Sequence, residues 1–191
     1  MSRSYCELAP GHPFHGAWHD TEYGFPVRDD AALLERLALE INQAGLSWLI
    51  VLKKRAALGR AFQGFDPDAV ARYGPADEER LLNDPGIIRN RRKIQAVIEN
   101  ARRVLAIRDE AGSFAAWLDA HHPRAKEDWV KLFKKTFTFT GSEITGEFLL
   151  STGYLPGAHE PWCPVYRRIA RLDPPRLWRT AKPNRTTPVT Y

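Results

Sequence analysis

Apolar residues recur at intervals of three and four along much of this chain. The clearest stripe joins Ile94, Val97, Ile98, Ala101, Val104 and Leu105 and predicts an amphipathic helix over 91–108. A second stripe, Leu33, Leu34, Leu37, Ala38 and Ile41, predicts an earlier helix that Asp29 or Asp30 can cap. Ala44-Gly45 can close that helix, with glycine in the left-handed cap position. Ser47 can then cap the next helix, predicted over 47–62 and broken by the GFDP run. Shorter helices are predicted over 77–82, 91 onwards being the long one, then 113–120, 127–135 and 143–152, the last capped by Ser142. Strands are absent apart from a weak period-two hint at Phe137 and Phe139, so the fold class is all-α.

The ends of the chain break this regularity. Residues 1–30 are rich in turn-formers and aromatics and finish in WHDTEYGFPVRDD, too irregular for a long helix and too aromatic for a loose tail. That segment is expected to pack on the body. From about residue 173 prolines and arginines accumulate. The expected organisation is one helical domain of two lobes over 1–172, then a Pro/Arg-rich tail over 173–191 that wraps the surface or is partly disordered.

Composition narrows the class. With 43% hydrophobic and 11% aromatic residues in 191, the chain reads as an ordinary globular protein with a substantial core. A formal charge of +5 fits a polyanionic partner. No apolar run is long enough to span a bilayer and the N-terminus lacks a signal-peptide layout, so a cytoplasmic location is expected. In a reducing compartment a structural disulfide between the chain's two cysteines is not expected. Their neighbours offer another use: Cys6 precedes His19 by thirteen residues, and His159 precedes Cys163 by four. Two thiolates and two imidazoles make a complete tetrahedral set for a closed, structural zinc site, which would staple the N-terminal segment to the C-terminal one.

Two further features carry potential chemistry. Glu40 lies at the edge of its helix's apolar arc, and Trp48 falls in the first turn of the next helix, so a carboxylate and an indole meet across a tight turn. Pattern alone leaves Glu40 open to a solvated helix-edge role and Trp48 to core filling. Arg91, Arg92 and Lys93 crowd the start of a helix, where the backbone dipole disfavours cations and a nearby anion would relieve them.

Taken together, HDTEYG at 19–24, LEINQAGLSWLIVLKKR at 39–55, GIIRNRRKIQAVIENAR at 86–102 and the Cys6, His19, His159, Cys163 spacing resemble the Tag family of 3-methyladenine DNA glycosylase I, within the helix-hairpin-helix glycosylase superfamily. The likeness covers roughly 5–165. It implies a helix-hairpin-helix glycosylase fold, zinc at the four ligand positions, contact of Glu40 with a flipped methylated base, and Trp48 as part of an aromatic pocket. The implied substrate is double-stranded DNA containing alkylated purines, 3-methyladenine above all, and the implied state is a monomer. A purine alkylated at N3 is cationic, so Trp18, Tyr23 and Trp48 would attract it through cation–π contacts, with His15 at a further pocket position. Phosphates would be held by the amides of Thr140, Gly141 and Ser142, by Lys134 and Lys135, and by Arg91, Arg92 and Lys93. Leu46, beside Gly45 at the tip of the turn, would plug the gap left by the base.

The chain also departs from the family pattern. Leu8 stands where the family has tryptophan, His15 and Trp18 replace its usual pair of pocket tyrosines, the insert before the hairpin is short, and the usual FKFVG reads FTFTG at 137–141. The segment after Gly153, YLPGAHEPWC, contains neither the aspartate nor the lysine that other helix-hairpin-helix glycosylases use, which implies a monofunctional hydrolase with no strand-cutting step. Two alternatives follow from the departures: a glycosylase for another lesion, or a DNA-binding helix-hairpin-helix protein without catalysis.

Overall fold

A computed structural model describes residues 4–177, and among the described residues every regular element is helical. Two short helices, α1 (Tyr5–Leu8) and α2 (His15–Thr21), precede α3 (Asp30–Gln43) and α4 (Trp48–Ala61). Next come α5 (Pro67–Val70), α6 (Pro75–Asn83) and the long α7 (Arg91–Ala111). The chain continues through α8 (Phe114–His121), α9 (Lys126–Thr136), α10 (Ser142–Ser151) and α11 (Pro164–Ala170). Each periodic stripe forms its helix, with ends moved by a few residues at most. The elements the pattern did not predict, α1, α2, α5 and α11, span two turns or fewer, too short to display a period. No helix among the described residues is long and apolar enough to cross a membrane.

Packing centres on α3. Its cap is Asp29, whose carboxylate accepts from the Ala32 N–H at 2.8 Å. Leu33, Leu34, Leu37, Leu39 and Ile41 are all fully buried, so the helix is apolar on more than one face and is surrounded by α4, α7, α8 and α10. Truncating one of these side chains to alanine would cost about 2–5 kcal/mol. The turn into α4 forms as the sequence dictates. Gly45 adopts φ +77°, and Ser47 Oγ accepts from the Ile50 N–H at 3.4 Å.

Asn100, buried on α7, shapes the link between α9 and α10. Its Nδ2 donates to the Thr138 carbonyl at 3.1 Å and its Oδ1 accepts from the Thr138 N–H at 2.8 Å. The strand hint at Phe137 and Phe139 is therefore not realised: a side chain of α7 takes the backbone pairing a strand partner would supply, and Phe139 turns to φ +60°. The alternation instead reports Phe137 packing on Phe114 and Trp117, at 5.1 and 5.8 Å between rings. Helix α10 begins at Ser142 with Gly141 in the cap position, one residue earlier than predicted.

The N-terminal segment does pack on the body. Gly24, at φ +79°, donates its N–H to the Ser151 carbonyl at 2.9 Å, and a β-carbon there would lie 2.8 Å from Ala158 Cβ. Glycine is needed at that approach. Beyond α11, Pro175–Leu177 makes a 3-10 turn anchored by the Arg176 N–H on the Gly153 carbonyl at 2.9 Å. The rest of the predicted tail, 178–191, lies outside the described residues.

Candidate functional site

Helix α3, the start of α4, the N-terminal segment and α10 enclose a cavity of about 300 Å³ lined by Tyr5, Trp18, Tyr23, Glu40, Gln43, Trp48 and Glu147. The rings meet edge to face: Trp18 and Trp48 lie 5.0 Å apart at 64°, and Tyr5 and Tyr23 lie 5.6 Å apart at 81°. Trp18 is only 2% exposed, and the guanidinium of Arg36 sits 4.1 Å above its ring. It builds the wall while its π-system is already engaged by a cation. That cation belongs to a network in which Arg36 donates to Glu22 at 2.6 Å and Arg55 donates to both Glu22 and Glu35.

Two carboxyls face this cavity. Glu40 is 4% exposed, not the half-buried edge residue its wheel position suggested, because α10 and the N-terminal segment cover that side of α3. Burial, reinforced by the neighbouring charge of Glu147 and opposed by Arg36, pushes its carboxyl up to about 8. Glu147 is less deeply placed, and burial raises its carboxyl too, while the Tyr23 hydroxyl donates to its Oε2 at 3.2 Å. Burial also raises both tyrosines, so Tyr5 and Tyr23 stay protonated donors through the physiological range.

A second cavity of about 520 Å³ shares Glu40, Gln43 and Glu147 with the first and runs between the Ala44 to Leu46 turn and the beginning of α10. Leu46, 38% exposed, Gly45, Gly141 and Ser142 line it, so four of the residues expected to touch DNA converge on the mouth of the pocket. Thr140 is buried beside them, its hydroxyl donating to the Phe137 carbonyl at 3.3 Å. Lys134 and Lys135 are exposed on the last turn of α9, which leads into the same hairpin. Arg92 lines a shallow groove with Thr138 and Phe139.

Three sequence expectations need correction. Lys93 does not face outward: it is 6% exposed and its ammonium donates to the carbonyls of Asn42 at 2.8 Å and Ala44 at 2.6 Å, satisfying acceptors left open at the end of α3. Arg91 is occupied by Glu78 at 3.4 Å and Glu79 at 4.0 Å. At the crowded start of α7, Arg91 and Lys93 thus meet the protein's own oxygens, while Arg92 stays exposed. His15 is not among the pocket-lining residues; its Nδ1 is bonded to the Tyr5 hydroxyl at 3.1 Å, and Tyr5 takes the place in the wall.

The metal-type cluster assembles fully. Cys6, His19, His159 and Cys163 are all buried, and one donor atom from each lies within 4.8 Å of the others. Cys6 Sγ and His159 Nδ1 are 3.7 Å apart, Cys163 Sγ and His19 Nε2 3.7 Å, and Cys163 Sγ and His159 Nδ1 3.8 Å. A tetrahedron with metal–sulfur bonds of about 2.3 Å and metal–nitrogen bonds of about 2.0 Å has edges of about 3.3–3.8 Å, so these three separations are of the size a single tetrahedral ion needs. The far nitrogens are oriented as such a site requires: His19 Nδ1 is 2.7 Å from Asp20 Oδ1, and His159 Nε2 is 2.7 Å from the Tyr23 carbonyl. Both cysteines are free thiols.

Sequence reasoning missed Tyr5, Gln43 and Glu147. Tyr5 was signalled by adjacency, since anchoring Cys6 anchors its neighbour, and Gln43 by its i,i+3 relation to Glu40. Glu147 had a weaker signal, an acidic residue directly before the apolar run Phe148, Leu149 and Leu150.

Among the described residues, a helical body whose acidic, aromatic-walled cavity opens onto a groove beside a helix start has the chemistry to receive a flat, cationic heteroaromatic group. Residues 9–131 match the model of the methyladenine glycosylase family, and the chain belongs to that family. It is 37% identical over 180 residues to the DNA-3-methyladenine glycosylase 1 of Escherichia coli, covering 84% of this chain and 96% of that one. Its fold is similar to a variant 3-methyladenine DNA glycosylase I solved in complex with 3-methyladenine, at TM-score 0.76 and 31% identity over 85% of this chain and 97% of that one. The Staphylococcus aureus enzyme, solved to define 3-methyladenine recognition, matches at TM-score 0.75 and 32% identity over 84% and 95%.

Proposed function

We propose that this protein is a monofunctional DNA-3-methyladenine glycosylase of base-excision repair, which flips a 3-methylated adenine out of the duplex and releases it by hydrolysis. The observation that carries the reading is a carboxyl, Glu40, buried in an aromatic cavity with no basic side chain lining it. Such a cavity disfavours its own negative charge until a cation arrives, and the flipped base supplies one.

Flipping costs a few kcal/mol of unstacking. Trp48 and Tyr23 offset part of it as ring walls, while Trp18, under Arg36, serves chiefly to hold Trp48 in place. Glu40 accepts from the base edge and balances its charge. The glycosidic bond is already weakened by that charge. When it breaks, its electron pair returns to the purine, water adds to the sugar carbon, and the water's proton is lost to solvent; positioning and charge matching supply the rest. Leu46 fills the gap in the stack. The 137–141 link with α9 and α10 acts as the helix-hairpin-helix element, its Gly141 and Ser142 amides meeting a phosphate, assisted by Lys134, Lys135 and Arg92. Zinc fits the Cys6, His19, His159, Cys163 cluster, where it would tie the two ends of the chain together and leave no position open for substrate. The pocket is complete within one chain, which supports a monomer; a cytoplasmic location goes with that reading.

Methylated duplex DNA incubated with the protein should release free 3-methyladenine as the main product, resolved chromatographically from other methylpurines. Release of none would overturn the enzyme reading, and release chiefly of another base would reassign the lesion.

A further inference from the structure

The pocket holds one carboxyl more than recognition by Glu40 requires. Glu147 projects from α10 into the same two cavities as Glu40, from the opposite wall, since Glu40 belongs to α3. Neither cavity has a lysine or arginine among its lining residues. A carboxyl as buried as Glu40 does not ionise cheaply beside a second one facing the same cavity, so one proton stays with the pair. We infer that Glu147 is a specificity-determining residue: with Glu40 it forms a charge-coupled carboxyl pair that holds one proton until a cationic purine displaces it, so that the pocket selects charged bases over neutral ones. This rests on the glycosylase reading of the site and adds to it a residue and a selection rule.

The surroundings support the pair on every side. From α3, Arg36 lies near enough to favour ionisation of Glu40, while its Nη2 donates to Glu22 and its guanidinium lies over the Trp18 ring. From the N-terminal segment come Tyr5 and Tyr23, both held neutral by burial; Tyr23 donates to Glu147 Oε2 and fixes that carboxyl in the wall. From α10, Glu143 adds further negative charge beside Glu147, and from α9, Lys126 opposes it. Deeper burial makes Glu40 the member that holds the proton more tightly and Glu147 the one that gives it up more readily. No covalent bond beyond the carboxyl O–H changes in the selection step: a cationic base enters, one proton leaves to solvent, and the pocket keeps its net charge of about −1 while the base lies between two carboxylates. A neutral base of the same shape displaces no proton and leaves the charged carboxyl uncompensated.

The test uses the full-length protein and Glu147→Gln, whose side-chain oxygen can still accept from Tyr23, with Tyr23→Phe as a control that removes that bond and keeps the charge. Infrared titration of protein carrying isotope-labelled glutamate should show a buried protonated carboxyl persisting above about pH 6 in the wild type; in Glu147→Gln the step should move down by at least about one pH unit, as expected for a coupled pair. Tryptophan fluorescence should then report affinity for a permanently cationic N3,N9-dimethyladeninium and for its neutral N9-methyl parent. Glu147→Gln should weaken the cation by about tenfold or more and change the neutral base by no more than about twofold, with Tyr23→Phe preserving the preference. An unmoved carboxyl step, or equal loss for both probes, would overturn the pair. These readouts do not involve base release, so a pair that stands while methylated DNA yields no free base would fail the glycosylase reading alone.

Discussion

Replacing Glu40 by glutamine should make the protein more stable and less active. The carboxyl is 4% exposed, and its pKa rises from the ordinary 4.5 to about 8, chiefly through burial and then through Glu147. A raised carboxyl means the folded state binds the proton more tightly than the unfolded one. Its contribution is therefore intact below about pH 4.5 and is lost progressively as pH rises to about 8. At about 1.36 kcal/mol per pH unit, the penalty carried by the wild type is under about 1 kcal/mol near pH 5, about 3 kcal/mol near pH 7 and about 5 kcal/mol above pH 9. Glutamine keeps the shape and never ionises, so it escapes that penalty at every pH. Urea unfolding of both proteins across this range should show the variant ahead by a margin that grows with pH, about 3 kcal/mol at neutrality or about 6–12 °C in Tm for a chain of this size. Release of 3-methyladenine by the same variant should fall roughly tenfold to a hundredfold, the worth of one charge-assisted hydrogen bond. A stability gap that is constant with pH, or a wild type more stable than the variant at neutrality, would refute the placement of Glu40 in a charge-averse cavity.

Other expectations concern the frame around the pocket. Protein purified without chelator should contain one zinc per chain by elemental analysis, and its removal, or Cys163→Ser, should lower Tm and abolish base release; a metal-free protein of unchanged stability would refute the zinc assignment. Lys134→Ala with Lys135→Ala should weaken binding to damaged and undamaged duplex by similar factors and flatten the salt dependence, measured by fluorescence anisotropy, because phosphate contacts carry no base information. Lys93→Met should cost about 1–3 kcal/mol in denaturant unfolding by leaving the end of α3 uncapped, with little change in the salt slope of DNA binding; a large drop in that slope would return Lys93 to the DNA surface. Gly24→Ala should destabilise by about 1–3 kcal/mol through its left-handed backbone and its contact with Ala158.

The helices were legible because their stripes are long enough to show a period, and the two caps around Gly45 and Ser47 because each residue type serves a specific backbone geometry. The cluster of cysteines and histidines was legible as chemistry before it was legible as structure. What the sequence hid was orientation. Lys93 looked like a phosphate ligand because a cation at a helix start has no local reason to turn inward, and its reason lies fifty residues away at the carbonyls of Asn42 and Ala44. Glu147 was hidden because its partner, Glu40, sits on another helix; nothing in the spacing of either announces that α10 closes over α3. The strand hint failed for the same kind of reason, with Asn100 of α7 reaching across to claim the backbone of Thr138.

The buried cluster of two cysteines and two histidines has a bearing on synthesis. Tyr5 adjoins Cys6, Trp18 adjoins His19, and the carbonyl of Tyr23 is bonded to His159, so three walls of the pocket are set by a cluster completed only at residue 163. A ribosome that has made the chain through α10 has supplied the helices that surround α3, yet the rings that line the pocket still lack their far anchor. A product truncated ahead of Cys163 is therefore expected to keep the apolar centre and to lose the ordered pocket.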